Sequence, residues 1–235
     1  MRKLKAVSIW ALTLVATAAF AQKPDPAQMA LQYSRAAEQN AEMLARYGWK
    51  MRTEVSLEVG GETRQVVKLY EVRIDLDGRP QKTELTASPA LPEPSKAGRG
   101  IRARRTNAKR RAKVAEFKAW AGALSELSES YMSPSPGTML DFYAKATYTP
   151  LHNGLVEVKG RDFLQPGDSV TFVIDGATKA PRSFAFKTRL GRDAVQGKVE
   201  YGRAPAGPRY AARTTVNVPA RNVTAKVETY DYRSL

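Results

Sequence analysis

The chain has no cysteine and only one histidine, His152, in 235 residues. These shortages remove disulfide frameworks, thiolate zinc sites and cysteine nucleophiles, and leave histidine-based catalysis without residues. No glycine-rich phosphate loop, serine elbow or metal-ligand spacing is present, so no cofactor is expected. Long apolar runs are missing as well. Beyond residue 21 nothing approaches the length needed to cross the ~30 Å hydrocarbon core of a bilayer. Acid is scarce relative to base: 23 Asp and Glu face 38 Lys and Arg, a net charge of +15.

The carboxylates that remain do not form an evident catalytic pair. Asp75 and Asp77 sit beside a turn, where Asp commonly serves the backbone. Asp141, Asp168, Glu116, Glu126 and Glu129 have no visible partner in the sequence, and His152 precedes Asn153-Gly154 in a loop. A non-enzymatic protein is expected.

The opening residues have a secretory pattern. Arg2, Lys3 and Lys5 precede an apolar run from Ala6 to Ala18, and Ala19-Phe20-Ala21 supplies a small-x-small cleavage site. Residues 1–21 are therefore expected to be a signal peptide cleaved after Ala21. A cysteine-free exported chain suits the bacterial periplasm better than disulfide-rich secretion. Without cysteine after the cleavage site, a lipid-anchored lipoprotein is not expected. Residues 22–235 are read as one domain.

After the leader, Asp25-Pro26 predicts an N-cap and first helical residue. Met29, Tyr33, Ala36, Ala37, Met43, Leu44 and Tyr47 continue at helical spacing, with Gly48 as the expected C-cap. The period then becomes two. Trp49, Met51, Val55, Leu57 and Val59 alternate with polar residues, Gly60-Gly61 turns, and residues 62–76 return with Tyr70, Val72, Ile74 and Leu76 on one side. Val66, Val67 and Leu69 interrupt that alternation and predict a bulge or two-sided burial. Asp77-Gly78 leads to a third strand ending near Leu85.

Residues 86–106 read as a Pro/Gly-rich linker, part of a basic insertion at about 86–113. From Lys96 to Lys113 its cations include Arg99, Arg102, Arg104, Arg105, Lys109, Arg110, Arg111 and Lys113, and that span has no acid. A helical stripe is expected from Val114 through Phe117, Trp120, Leu124, Leu127 and Tyr131, and a short helix from about Thr138. Alternating runs around Val170–Ile174, Phe184–Leu190, Val195–Tyr201, Thr214–Val218 and Val223–Val227 predict a strand meander. The fold expected is α+β: a large curved antiparallel sheet, an incomplete barrel of about nine to eleven strands, with about three helices over its concave face.

Within the meander, Gly167 to Pro181 contains an Asp175-x-x-Thr178-x-x-Pro181 turn between two strands. This strand-turn-strand resembles periplasmic carriers of the LolA/LolB type and the related RseB sensor domains, and the order of elements is similar too. The resemblance implies a helical lid over an apolar cavity for acyl chains. The Arg99–Lys113 stretch has no counterpart in those carriers, and no residue here matches their lid arginine.

The apolar inward set comprises Trp49, Met51, Val55, Leu57, Tyr70, Val72, Phe172, Phe184, Phe186 and Tyr201, with Phe117 and Trp120 from the helix. Such a set is either a packed core or the wall of a lipid cavity. The basic stretch is either a solvated loop or an arm for an anionic membrane surface. Nucleic acid suits the charge, but the export leader and the absence of interleaved aromatics argue against it. The expected partners are a lipid or acylated protein and an anionic envelope surface. The alternative is an RseB-like module that binds a protein or polyanion by its surface.

Overall fold

The computed structural model describes residues 25–59, 61–75, 79–85, 101–204 and 207–235, without side chains for 59, 101–107 and 110. The leader at 1–21, the Asp77-Gly78 turn, the linker at 86–100 and Arg99 lie outside the described residues.

Among the described residues three α-helices and ten strands follow in order. They are α1 (Pro26–Leu44), β1 (Tyr47–Val59), β2 (Glu62–Ile74), β3 (Pro80–Glu84), α2 (Ile101–Met132), α3 (Pro136–Lys145), β4 (Thr147–Pro150), β5 (Leu155–Arg161), β6 (Ser169–Asp175), β7 (Pro181–Leu190), β8 (Asp193–Arg203), β9 (Arg209–Val218) and β10 (Val223–Ser234). All strands join one antiparallel sheet in the order β3-β2-β1-β10-β9-β8-β7-β6-β5-β4. Sequential hairpins build β4 through β10, and pairing of β1 with β10 then brings the first hairpin beside the last strand. The sheet has two edges, β3 and β4, so it does not close. This is the α+β architecture expected.

Local chemistry explains most of the boundaries. The Asp25 carboxylate accepts from Ala27 N–H and Pro26 occupies the first turn of α1. Ser135 caps α3 in the same way through Thr138 N–H. In the Asp-x-x-Thr-x-x-Pro turn, the Asp175 carboxylate accepts from the N–H groups of Ala177 and Thr178 and from Arg182. These donors, led by the Thr178 N–H, hold its pKa down at about 2.

Several boundaries differ from expectation. The cap of α1 is Ala45, and Gly48 already belongs to β1, where a side chain would press against Leu235. Pairing of β2 with β1 is regular from Glu62 to Arg73, so there is no bulge at 66–69; both faces of this stretch are simply open. The helix expected from Val114 begins at Ile101. Arg102, Arg104, Arg105 and Arg110 therefore have helical backbone, and Lys109, Arg111 and Lys113 are exposed helical side chains. Strands β4 and β5 were not anticipated.

The core lies where the helices meet the middle of the sheet. Leu124 and Tyr131 of α2, with Met139, Phe142 and Tyr143 of α3, pack on Val158, Phe172, Phe184, Phe186, Val195 and Val199. Two glycines allow this close approach. A Cβ on Gly160 would sit 2.5 Å from the Phe142 ring, and one on Gly197 would sit 2.1 Å from Phe186. The chain ends are tied separately. Trp49 stacks on Tyr232 at 5.3 Å, Tyr232 on Tyr210 at 4.0 Å, and the Asn40 amide of α1 bonds both N–H and C=O of Arg209.

Candidate functional site

The apolar residues singled out on the sequence fall into distinct settings. Phe172, Phe184 and Phe186 lie inside the aromatic cluster, with Phe142, Phe163 and Tyr131 in successive ring contacts. All six are buried, and between β6–β8 and the helices these rings occupy the space. Tyr201 is half-buried at the margin of this core. Burial raises the pKa of its hydroxyl, with Tyr33 of α1 as a lesser cause.

A second group lines the same side of the sheet on its N-terminal wing. Leu57 lies opposite Val223, Val55 opposite Ala225 and Met51 opposite Thr229 on β10. Across β2, Val55 meets Val66 and Met51 meets Tyr70. These side chains continue the core face: Met51, Val55, Leu57 and Tyr70 are partly buried, Val55 and Leu57 against the edge of the core, and Val66 is 42% exposed. Arg64 faces Leu57, and Lys68, paired with Glu84 at 3.2 Å, faces Thr53. The result is an apolar strip, less buried than the ring cluster and bordered by cations. Trp49 lies opposite Val72 at its far end, and Val72 is buried at 1% exposure.

The helical pair behaves differently again. Trp120 donates to Asp193 at 3.2 Å and lies under the Arg221 guanidinium at 4.9 Å, fixing α2 to the β7–β8 and β9–β10 turns. One turn earlier Phe117 is exposed, and every side chain from 111 to 119 is exposed. Among the described side chains of this part of α2, Lys109, Arg111, Lys113, Val114 and Phe117 are exposed.

One carboxylate was underestimated from sequence. Asp168 is buried and fully engaged: it accepts from the N–H groups of Phe163, Leu164 and Gln165 and from the Tyr131 hydroxyl at 2.5 Å. The same hydroxyl lies 2.8 Å from Thr188, and the Gln165 amide also reaches Thr188. Burial and, second, Asp168 push the Tyr131 pKa up to about 12. This lock ties α2 to β7 and gives the carboxylate four donors. Three of its donors lie three to five residues before it, but Tyr131 is 37 residues away, beyond any local pattern. Among the described residues no group of three or more His, Asp or Glu side chains is placed to hold a metal, and no helix is long and apolar enough to cross a membrane.

An open antiparallel sheet with its helices on one side defines the class of this fold. No protein-family model and no curated protein matches the chain. Among solved structures it is similar to an outer membrane lipoprotein-sorting protein domain from Vibrio parahaemolyticus, at 13% identity and TM-score 0.39, covering 88% of this chain and 93% of that one. It is also similar to a DUF1329 family protein from Desulfovibrio piger, at 8% identity and TM-score 0.37, with 90% and 94% covered. A LolA superfamily protein from Nitrosomonas europaea gives 8% identity and TM-score 0.34, with 86% and 93% covered. Likeness at this level says nothing of ligand or activity, which depend on this chain's own side chains.

Proposed function

We propose that this protein is a non-enzymatic periplasmic carrier that holds a lipid or acylated ligand against the inner face of β10, β1 and β2. The observation that carries this reading is the partly exposed apolar strip at Met51, Val55, Leu57, Val66 and Tyr70, on the same face that is filled with rings further along the sheet. Burying such surface contributes about 25 cal/mol per Å², and an extended acyl chain fits a strip one or two side chains wide. Arg64 and Lys68 on the same face suit an anionic head. The exposed basic half of α2, with Val114 and Phe117 among its cations, would dock the carrier on an anionic envelope surface at about 1 kcal/mol per basic residue near the membrane.

The test is a ligand census. The protein is exported by its own leader, purified without detergent, extracted with organic solvent and analysed by mass spectrometry. A near-stoichiometric lipid is expected, lost in a still-folded Leu57→Asp variant. Lipid retained in Leu57→Asp, or a clean extract combined with failure of the folded protein to take up a fluorescent fatty acid, would overturn the reading.

A further inference from the structure

The outer face of the sheet, turned away from the helices, has an organisation of its own. Cross-strand register places its side chains in rows. One row runs Glu157, Val173, Ser183, Glu200, Arg213 and Glu228. The next runs Lys159, Thr171, Ala185, Lys198, Thr215 and Lys226. Acids of the first row neutralise cations of the second: Lys159 pairs with Glu157 at 2.8 Å and Lys198 with Glu200 at 2.7 Å. A third row runs Arg161, Ser169, Lys187, Gln196, Asn217 and Thr224, and contains no acid.

Among the described residues neither Arg161 nor Lys187 has a carboxylate partner, and neither does Arg189, two residues beyond Lys187 on the same side of β7. Leaving these cations together without acids costs repulsion, which an anion would relieve. The surface is also hollow there. Short side chains at Ser169, Thr171, Ala185 and Thr215 form a floor ringed by Lys159, Arg161, Lys187 and Lys198, and the depression measures about 540 Å³. A second depression of about 720 Å³, between the 165–168 turn and Arg189, shares Lys187 as its wall.

We infer that this hollow is a binding site for a phosphorylated sugar, separate from the apolar strip on the opposite face. Arg161 and Lys187 supply charge-assisted bonds to phosphate. Ser169, Thr171, Gln196, Thr215 and Asn217 each offer both donor and acceptor, as hydroxyl-rich ligands require. The outer side chains of the hollow include no aromatic ring on which a base could stack, which disfavours nucleic acid. A flat bilayer surface meets a hollow poorly, whereas a volume of this size takes a ligand of sugar dimensions.

The test uses ¹⁵N-labelled protein titrated with glucose 6-phosphate, glucose alone, inorganic phosphate alone, and phosphatidylglycerol vesicles. Saturable amide shifts are expected at Thr171, Lys187, Gln196 and Thr215 with glucose 6-phosphate, and about tenfold weaker binding of either half alone. Lys187→Glu and Arg161→Glu should each abolish the response, while Lys82→Glu on β3 leaves it intact. Spectral dispersion reports the fold of each variant, and Lys187→Gln provides a milder second case. Non-saturating shifts, shifts confined to α2, or a response surviving Lys187→Glu would overturn the assignment. So would vesicle binding through Lys187 without any glucose 6-phosphate response, which would make the face a membrane contact.

Discussion

On β7, Phe184 and Phe186 are 1% and 2% exposed, whereas on β1 the same side of the same sheet presents Val55 and Leu57 only partly buried. Both strands alternate apolar and polar residues with equal regularity. The difference lies in what covers them. α2 and α3 bring Leu124, Tyr131, Met139 and Phe142 onto β5–β9, and the Tyr131–Asp168–Thr188 lock fixes that cover. Over β1 and β2, among the described residues, no comparable set of buried helix side chains packs on the sheet. An alternating strand states which face is apolar; a second layer decides whether that face is core or site. The two wings should therefore respond oppositely to mutation, one in stability and the other in ligand content.

The largest effect is expected at Phe186. Its ring stacks on Tyr131 at 4.5 Å and fills the space over Gly197. Phe186→Ala should cost about 3–5 kcal/mol, measured by urea unfolding. A cost near that of an exposed site would mean that the closed wing is not closed. Gly197→Ala attacks the same contact from below. A methyl group 2.1 Å from the Phe186 ring forces displacement, and a loss of about 1–3 kcal/mol is expected.

Tyr131→Phe tests the lock rather than the packing. The ring stays, but Asp168 loses one of its four donors, with an expected cost of about 1–3 kcal/mol. A pH signature separates this from a packing change. The Tyr131 hydroxyl titrates at about 12 in the fold against 10.0 for an ordinary tyrosine. Its contribution is therefore fully present below pH 10 and is lost as pH rises toward 12, where only the unfolded chain ionises. Stability of the Phe variant should fall less steeply across that window. Burial also raises Tyr143, Tyr201 and Tyr232, so the slope should diminish and not vanish.

The legibility of these features from sequence follows their range. Helix caps at Asp25 and the strands with clean alternation were visible because caps and period-two patterns are local. The start of α2 was hidden because 101–113 carries charge on every side, with no stripe to detect before Val114. β4 has four residues and was too short to register, and β5 hides its Val156–Val158 alternation next to Gly160. Asp168 looked isolated because Tyr131 and Thr188 lie 37 and 20 residues away along the chain. Most important, the split between filled core and partly exposed strip cannot be read from alternation, since Phe186 and Leu57 occupy equivalent positions in equivalent patterns.

Leu57 gives the smallest stability effect and the sharpest contrast with Phe186. Leu57→Ser removes a partly buried side chain over β10, where the neighbours Val223 and Ala225 retain other contacts. The area it keeps from water is modest, so the expected cost is about 1 kcal/mol or less in the ligand-free protein. With ligand bound the picture changes, because the same side chain would then contact an acyl chain along its length. Denaturation in the presence of a saturating fatty acid should show wild-type stabilisation that follows ligand concentration, and Leu57→Ser should lose most of it. Equal stabilisation of both proteins would remove the strip from the ligand's path. A large loss in the ligand-free variant would place Leu57 in the core and make the two wings alike.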